Sequence, residues 1–158
     1  MSDAAIRDHL VRSLSWEEAR AGFAKAVAGV PPDQRGARAA GFDHSIWQQV
    51  EHIRIAQADI LDFAVNAKYV HTMTWPDDYW PSAPEPPGGS AWDESLAAYQ
   101  RDLDAMKRLT RETPDLSALV PTGKGEQTYL RAVLLVVDHT AYHTGQIVAL
   151  RRALGIWP

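Results

Sequence analysis

Apolar residues recur at spacings of three and four along most of the chain, which is the period of an amphipathic α-helix. The clearest segment follows Ser45, and Gln48 three residues later completes the pattern of a capping box. Its apolar positions recur about one helical turn apart: Ile46, Val50, Ile53, Ile60 and Ala64. This pattern predicts a helix over residues 46–66.

Two other segments have the same period, and strand-like alternation of apolar and polar residues is missing. The first, residues 3–29, contains a second capping signal at Ser15 and Glu18, so the helix is expected to restart there. The other begins at Ser90 and is ended by Pro114. The residues expected to face the core, which we call the seam of the helix, have the spacing of a bundle helix: Trp92, Leu96, Tyr99, Leu103, Met106 and Thr110. The fold class predicted is therefore all-α.

A fourth helix is predicted from Thr128 to Leu154, with Gly155 as a left-handed residue after its end. At about 100° per residue, its apolar side chains cover two neighbouring faces instead of one. A helix of this kind is expected to lie inside the domain with neighbours on most sides. Gly145 near its middle indicates that another backbone approaches closely there.

Between the second and third helices lies a long connection, residues 67–90, which contains five of the ten prolines of the chain. No regular element is expected in such a segment. A connection of this length inside a compact domain is usually functional. Its aromatic residues Trp75, Tyr79 and Trp80 predict that it packs against the body of the protein.

Composition and charge restrict the classes of partner. The 158 residues carry 16 Lys and Arg against 20 Asp and Glu, without a basic stripe, so neither nucleic acid nor an anionic membrane is an expected partner. The chain has no cysteine, and its first ten residues contain no apolar core of a signal peptide. We therefore expect a single domain, residues 1–158, in the cytoplasm.

The first candidates for a functional site are His139 and His143, which lie four residues apart in the fourth helix. Both are expected on the faces that point into the domain. Each ring can be satisfied by a backbone carbonyl or by a hydroxyl such as Thr140 or Thr144. The same spacing also lets both rings reach one divalent ion, at about 2.0–2.1 Å. No glutamate lies inside the pair or three residues before a histidine, which excludes the zinc-protease and di-iron motifs.

A metal site needs at least one further ligand, and four other histidines are available. His9 and His71 are expected to be solvated, because one lies near a chain end and the other in the proline-rich connection. His44 precedes the start of the second helix and is a weaker candidate. His52 is the best candidate because the small Ala56 one turn later leaves room for an ion, although an ordinary histidine at the flank of the helix is the alternative.

Three segments together resemble the DinB-like family of four-helix-bundle metalloproteins: HSIWQQVEHIRIAQADIL, WPDDYWP and DHTAYHTGQIVALRRALG. The resemblance implies an up-down-down-up four-helix bundle with the proline-rich connection as a long crossover between helices two and three. It also implies one divalent ion held by one histidine of the second helix and two of the fourth. On this sequence those ligands are His52, His139 and His143.

Three neutral imidazoles would leave the ion an open coordination position, which is typical of catalytic sites. Zinc and nickel are the first candidates and iron is a further one, since imidazole suits all of them. Gln49, Asp59 and Gln146 are near enough in helical projection to orient the rings. Glu51, Asp59 and Asp138 are interpreted as surface charges, so no general base is predicted.

The family resemblance also bears on activity. It implies a metal-dependent thiol S-transferase or a hydrolase acting on small molecules. A chain without cysteine would take a low-molecular-weight thiol as its nucleophile. The alternative is a non-catalytic, stress-related bundle that binds metal or a ligand and acts as a homodimer. Trp16 and Trp92 could each lie in the core, the preferred interpretation, or at a subunit seam.

Overall fold

The computed structural model describes residues 2–158, and this part of the chain is helical without a named β-strand. Its five α-helices are α1 Asp3–Ser13, α2 Phe23–Val27, α3 Ile46–Val65, α4 Ala91–Glu112 and α5 Tyr129–Ala153. An isolated antiparallel bridge joins Leu119 to Thr128 in the segment between α4 and α5. None of the helices within residues 2–158 is both long and apolar enough to cross a membrane. The all-α prediction is confirmed.

The second and fourth helices begin where they were predicted to, and both have a side-chain cap. Ser45 accepts a hydrogen bond from the backbone N–H of Gln48 at 3.1 Å, and the Gln48 side chain accepts one from the Ser45 N–H, also at 3.1 Å. Thr128 accepts from the N–H of Arg131 at 3.2 Å. At the other end of α5, Gly155 has φ of 72°, as predicted for a left-handed residue there.

The prediction for the first segment is partly wrong. The capping box at Ser15 does not form, and residues 14–22 separate α1 from the short α2, whose N-cap is Gly22. The backbone of Gly22 is extended, with φ of −75° and ψ of 169°, and the exposed side chain of Glu17 lies against it. The local capping signal at Ser15 therefore does not decide where the helix restarts.

Helix α3 forms the centre of the molecule and packs against both α4 and α5. Helix α1 contacts α4 and α5, whereas α2 contacts α5. The apolar seams predicted for the second and third helices are largely buried. The fully or almost fully buried members of these seams are Ile46, Val50, Ile53, Ala64, Trp92, Tyr99, Leu103, Met106 and Thr110. Trp92 is a core residue, as the sequence favoured.

Helix α5 is less enclosed than predicted. Val133, Val136, Ile147 and Leu150 are buried, but Leu134 is 48% exposed. Leu134 borders a groove on the surface between the end of α1 and α5, together with Ser13 and Val137. Trp16 also borders this groove and is 40% exposed, so the preferred interpretation of Trp16 as a core residue is wrong.

Two further residues of α5, Gly145 and Arg151, differ from what their residue types suggest. The close approach predicted at Gly145 is wrong, because a Cβ at this position would meet no atom within 4 Å. Arg151 is buried, although arginine is mostly a surface residue. Its guanidinium donates to the backbone oxygen of Ala26 at 2.6 Å and to that of Ile156 at 3.1 Å. Arg151 thus ties α5 to α2 and to the C-terminal segment.

The proline-rich connection between α3 and α4, residues 67–90, is called the crossover below. It packs along α3, as its aromatic residues predicted. The Tyr79 hydroxyl donates to Asp59 at 2.6 Å, and the Gln48 side chain donates to the Pro81 backbone oxygen at 2.8 Å. The Ser45 hydroxyl donates to the backbone oxygen of Pro84. These hydrogen bonds fix the crossover over one side of α3, which brings its aromatic residues next to His52.

Candidate metal centre

The structure brings together the three histidines expected to form the site. His52 comes from the middle of α3, and His139 and His143 come from adjacent turns of α5. One ring nitrogen from each lies within 4.8 Å of the others, so the three rings are positioned to bind a metal ion. Among residues 2–158, His9, His44 and His71 are outside this group.

The spacing of the ring nitrogens fits a small divalent ion. Nε2 of His52 and Nε2 of His139 are 3.0 Å apart. Two ligands on a tetrahedral ion at about 2.0–2.1 Å are separated by about 3.3 Å, so this pair needs to move apart by only a few tenths of an ångström. All three nitrogens lie within 4.8 Å of one another, so the cluster is compact enough for one ion to draw the rings together.

His52 is held by the crossover. Its Nδ1 lies 3.0 Å from the backbone oxygen of Tyr79, which can only accept, so Nδ1 carries the hydrogen and Nε2 is free to bind a metal. The indole of Trp80 stacks on the His52 ring with centroids 3.8 Å apart. His44 stacks on Trp80 at 3.6 Å, so the indole lies between the two imidazoles. His44 therefore supports the centre from behind Trp80 and does not join it.

His143 is held by α3. Its Nδ1 lies 2.8 Å from Oε1 of Gln49, and Gln49 is buried. Donation from Nδ1 to this amide oxygen leaves Nε2 of His143 free, in the same tautomer as His52. Gln49 is one of the three residues predicted to orient the rings, and the structure places it in that position.

Burial keeps the imidazoles neutral. It lowers the pKa of His52 to about 4 and that of His143 to about 3, and the neighbouring histidines lower both further. Burial also lowers the pKa of His139, although the adjacent carboxylate of Asp138 opposes the change. Neutral imidazole is the form that binds a metal, so at neutral pH no proton has to be removed from an imidazolium.

The other two residues predicted to orient the rings act differently. Asp59 does not touch a histidine but accepts hydrogen bonds from the hydroxyls of Tyr69 at 2.8 Å and Tyr79 at 2.6 Å. Since the Tyr79 backbone oxygen holds His52, Asp59 orients that ring through the crossover. Within the part of the chain described, no hydrogen bond joins Gln146 to the three rings.

Glu51 is not the surface charge that the sequence suggested. It is buried, where it accepts from the Arg54 guanidinium at 2.8 and 2.9 Å and from the Ser95 hydroxyl. Burial alone would raise the pKa of Glu51, but the hydrogen bonds from Arg54 and Ser95 outweigh it and leave the pKa below its usual value. Asp138 is exposed, as expected.

Two aromatic side chains border the centre on its exposed side. Trp75 is 60% exposed, with its ring 5.9 Å from the His52 ring and 6.4 Å from the His139 ring. Tyr142 is 63% exposed and meets the His143 ring edge-on at 4.8 Å. The histidines are therefore enclosed by α3 and Trp80 on one side and bordered by exposed aromatic surface on the other.

Sequence reasoning missed two features of the centre. A backbone acceptor such as the Tyr79 oxygen cannot be read from residue type, because every residue has one. The stacked position of Trp80 was missed as well, although the clustering of aromatic residues in a proline-rich segment was a usable signal.

One comparison with known proteins bears on this centre. The sequence model described as the DinB superfamily matches residues 15–147. The matched range contains His52, His139 and His143. No curated protein matches the sequence.

Proposed function

The chain belongs to the DinB superfamily, and from this premise we propose that it binds one divalent metal ion through His52, His139 and His143. The observation that carries the proposal is the convergence of their ring nitrogens within 4.8 Å from two separate helices. The fixed tautomers of His52 and His143 support it, because both present Nε2 to the same space. Zinc and nickel are the proposed ions, with iron as a further candidate.

We propose further that the helices form an up-down-down-up four-helix bundle in which α1 and α2 together stand for the first helix. In that arrangement the crossover spans the length of the bundle between α3 and α4. The hydrogen bonds from α3 to Tyr79, Pro81 and the neighbouring crossover residues support this part of the proposal.

We propose a metal-dependent thiol S-transferase or hydrolase that acts on small molecules. The bound ion would supply a Lewis acid that lowers the pKa of a coordinated thiol or water. His52, His139 and His143 would hold it, while Trp80 shields the His52 ring from water. Trp75 and Tyr142 offer exposed aromatic surface for the body of a substrate. The chain has no cysteine, so a thiol would come from a low-molecular-weight compound in the cytoplasm.

The binding step is tested by titrating metal-stripped protein with zinc, nickel and ferrous iron in a calorimeter. We expect one ion per chain and loss of binding in His143→Ala. His9→Ala is the matched control, because His9 is an exposed histidine on α1 outside the centre. Equal binding by both variants would refute the assignment of the ligands.

The reaction is tested on protein loaded with each metal. Conjugation of cysteine or glutathione to an aromatic chloride measures transferase activity, and ester cleavage without thiol measures hydrolase activity. We expect one of these activities, lost in His143→Ala while the helical circular dichroism persists. Absence of turnover with every metal and thiol would favour the non-catalytic alternative.

That alternative, a metal- or ligand-binding homodimer, is supported by one observation. Ile6, Trp16 and Leu134 are large, apolar and exposed, and they border the same surface of α1 and α5. Contiguous apolar surface of this kind often marks a subunit interface. Sedimentation equilibrium of the wild-type protein and of Leu134→Glu tests the dimer, since the charged side chain should shift a dimer toward monomer. A wild-type monomer would contradict it.

A further inference from the structure

A cavity of about 520 Å³ lies between the α1–α2 segment and α4, apart from the histidine centre. Its volume is in the range of sites that hold small organic molecules. None of the three histidines borders it, nor do Gln49 and Trp80. Thr140 is its one wall residue from α5, and it directly follows His139 in the sequence.

The inner wall of the cavity is apolar and rich in aromatic rings. Phe23 and Tyr99 pack with ring centroids 4.0 Å apart, and both are buried, as are Trp92 and Leu103. Such a wall favours an apolar or aromatic ligand body, because burying it removes apolar surface from water.

The charged groups around the cavity are arranged asymmetrically. Arg20, Arg35 and Lys107 are half-buried in its wall, whereas Glu17 and Asp93 are exposed. The structure forms two ion pairs within residues 2–158, and neither involves any of these five residues. The partly desolvated charges are therefore all positive and without an acidic partner, which favours an anionic ligand group.

Arg35 is the cation best placed to receive that group. Its guanidinium carbon lies 4.6 Å above the ring of Trp92, so the side chain is held against the aromatic wall. Its Nε is buried and has no hydrogen-bond partner within residues 2–158. A buried donor without a partner is costly, and a planar carboxylate would satisfy a guanidinium through two parallel hydrogen bonds.

We propose that this cavity binds a small organic carboxylate with an apolar or aromatic body, whose anionic group pairs with Arg35. The body of the ligand lies against Phe23, Trp92 and Tyr99. The site is independent of the metal centre, so the proposal stands or falls separately from the proposed catalytic function.

Calorimetric titration of the full chain with phenylbutyrate, phenylbutanol and phenylbutylamine tests the proposal, since these probes share one body and differ in the end group. We expect one phenylbutyrate per chain, bound about tenfold or more tighter than the alcohol, which is typical of a charge-assisted hydrogen bond. The amine should bind more weakly still. Equal affinities for all three probes would overturn the proposal.

Two variants of cavity residues test whether phenylbutyrate binds in this cavity. Arg35→Gln should reduce the affinity for phenylbutyrate to that for phenylbutanol, whereas Arg101→Gln, an exposed arginine of α4 outside the cavity, should not. If Arg35→Gln unfolds, Leu96→Trp provides a second test, because the larger side chain at the half-buried wall position fills the cavity and should abolish binding of both probes. Unchanged phenylbutyrate affinity in a folded Arg35→Gln or Leu96→Trp protein would overturn the proposal.

The effect of metal on phenylbutyrate affinity distinguishes binding in the cavity from binding at the histidine centre. Phenylbutyrate affinity should be the same in zinc-loaded protein, in chelator-treated protein and in His143→Ala. Loss of binding on chelation would mean that the carboxylate binds the ion, which would overturn the assignment to this cavity while leaving the proposed metal centre intact.

Discussion

Replacing Gln49 by leucine tests whether the protein itself orients His143 for metal binding. Gln49 is buried, and its Oε1 lies 2.8 Å from Nδ1 of His143. Leucine has a similar size but offers no acceptor, so the Nδ1–H of His143 would be left buried without its partner. Nothing would then hold the tautomer that presents Nε2 to the ion.

Gln49→Leu should change two quantities, the zinc affinity and the stability of the metal-free protein. Loss of a partner that orients a metal-binding histidine typically weakens metal affinity about 10–100-fold, which is roughly 1.4–2.7 kcal/mol. A buried donor without an acceptor also costs about 1–3 kcal/mol in the stability of the metal-free protein. We therefore expect Gln49→Leu to weaken zinc binding by one to two orders of magnitude and to lower the melting temperature without metal. Gln49→Glu keeps an acceptor and should retain tight binding.

Zinc affinity is measured by competition with a chromophoric chelator, and stability is measured by thermal unfolding in excess chelator. Gln57→Leu is a matched control, because Gln57 is a buried glutamine of the same helix that donates to the Tyr99 backbone oxygen at 2.9 Å. It should lose stability but keep its zinc affinity. Wild-type zinc affinity in Gln49→Leu, or an equal loss in Gln57→Leu, would refute the orienting role of Gln49.

Three shorter predictions concern the crossover, the titration of the centre and α5. Asp59→Ala removes the acceptor of the Tyr79 hydroxyl and should weaken zinc binding about tenfold in the same competition assay, although Asp59 is not a proposed ligand. In the metal-free protein, stability should fall as the pH is lowered from 6.5 toward 4. The pKa values of His52 (about 4) and His143 (about 3) are lowered in the folded protein, so the unfolded chain binds more protons than the folded chain over this range. A denaturation midpoint that does not change with pH over this range would contradict the burial of these two rings as neutral imidazoles. Gly145→Ala should raise the free energy of unfolding by up to about 1 kcal/mol in urea titrations, since the added methyl group meets no atom within 4 Å.

Helix positions and the pairing of His139 with His143 could be predicted because both depend on local pattern, whereas the family resemblance supplied His52 as the third member. The capping box at Ser45 and the spacing of His139 and His143 are properties of short segments, and the structure confirms the capping box and brings the two rings together with His52. The break between α1 and α2 could not be predicted in this way. The pattern at Ser15 and Glu18 is also a local capping signal, but residues 14–22 form no α-helix and α2 begins after Gly22.

Buried polar residues were predicted poorly for a related reason. The sequence shows Glu51 and Arg151 only as charged residues on helices, a class that is almost always on the surface. Their burial depends on partners that are distant in sequence, namely Ser95 for Glu51 and the Ala26 backbone oxygen for Arg151. Periodicity within one helix contains no information about such partners.

The hydrogen bonds of His52 and His143 indicate that folding orients two of the three rings before any ion binds. His52 is fixed by a backbone oxygen of the crossover, and His143 is fixed by a side chain of α3. Neither hydrogen bond uses the nitrogen that would bind an ion, so a bound ion would leave both in place. In a small zinc domain the ion supplies the folding energy. Here α3 packs on α4 and α5 through a buried apolar core, so an ion would meet two rings that folding has already oriented.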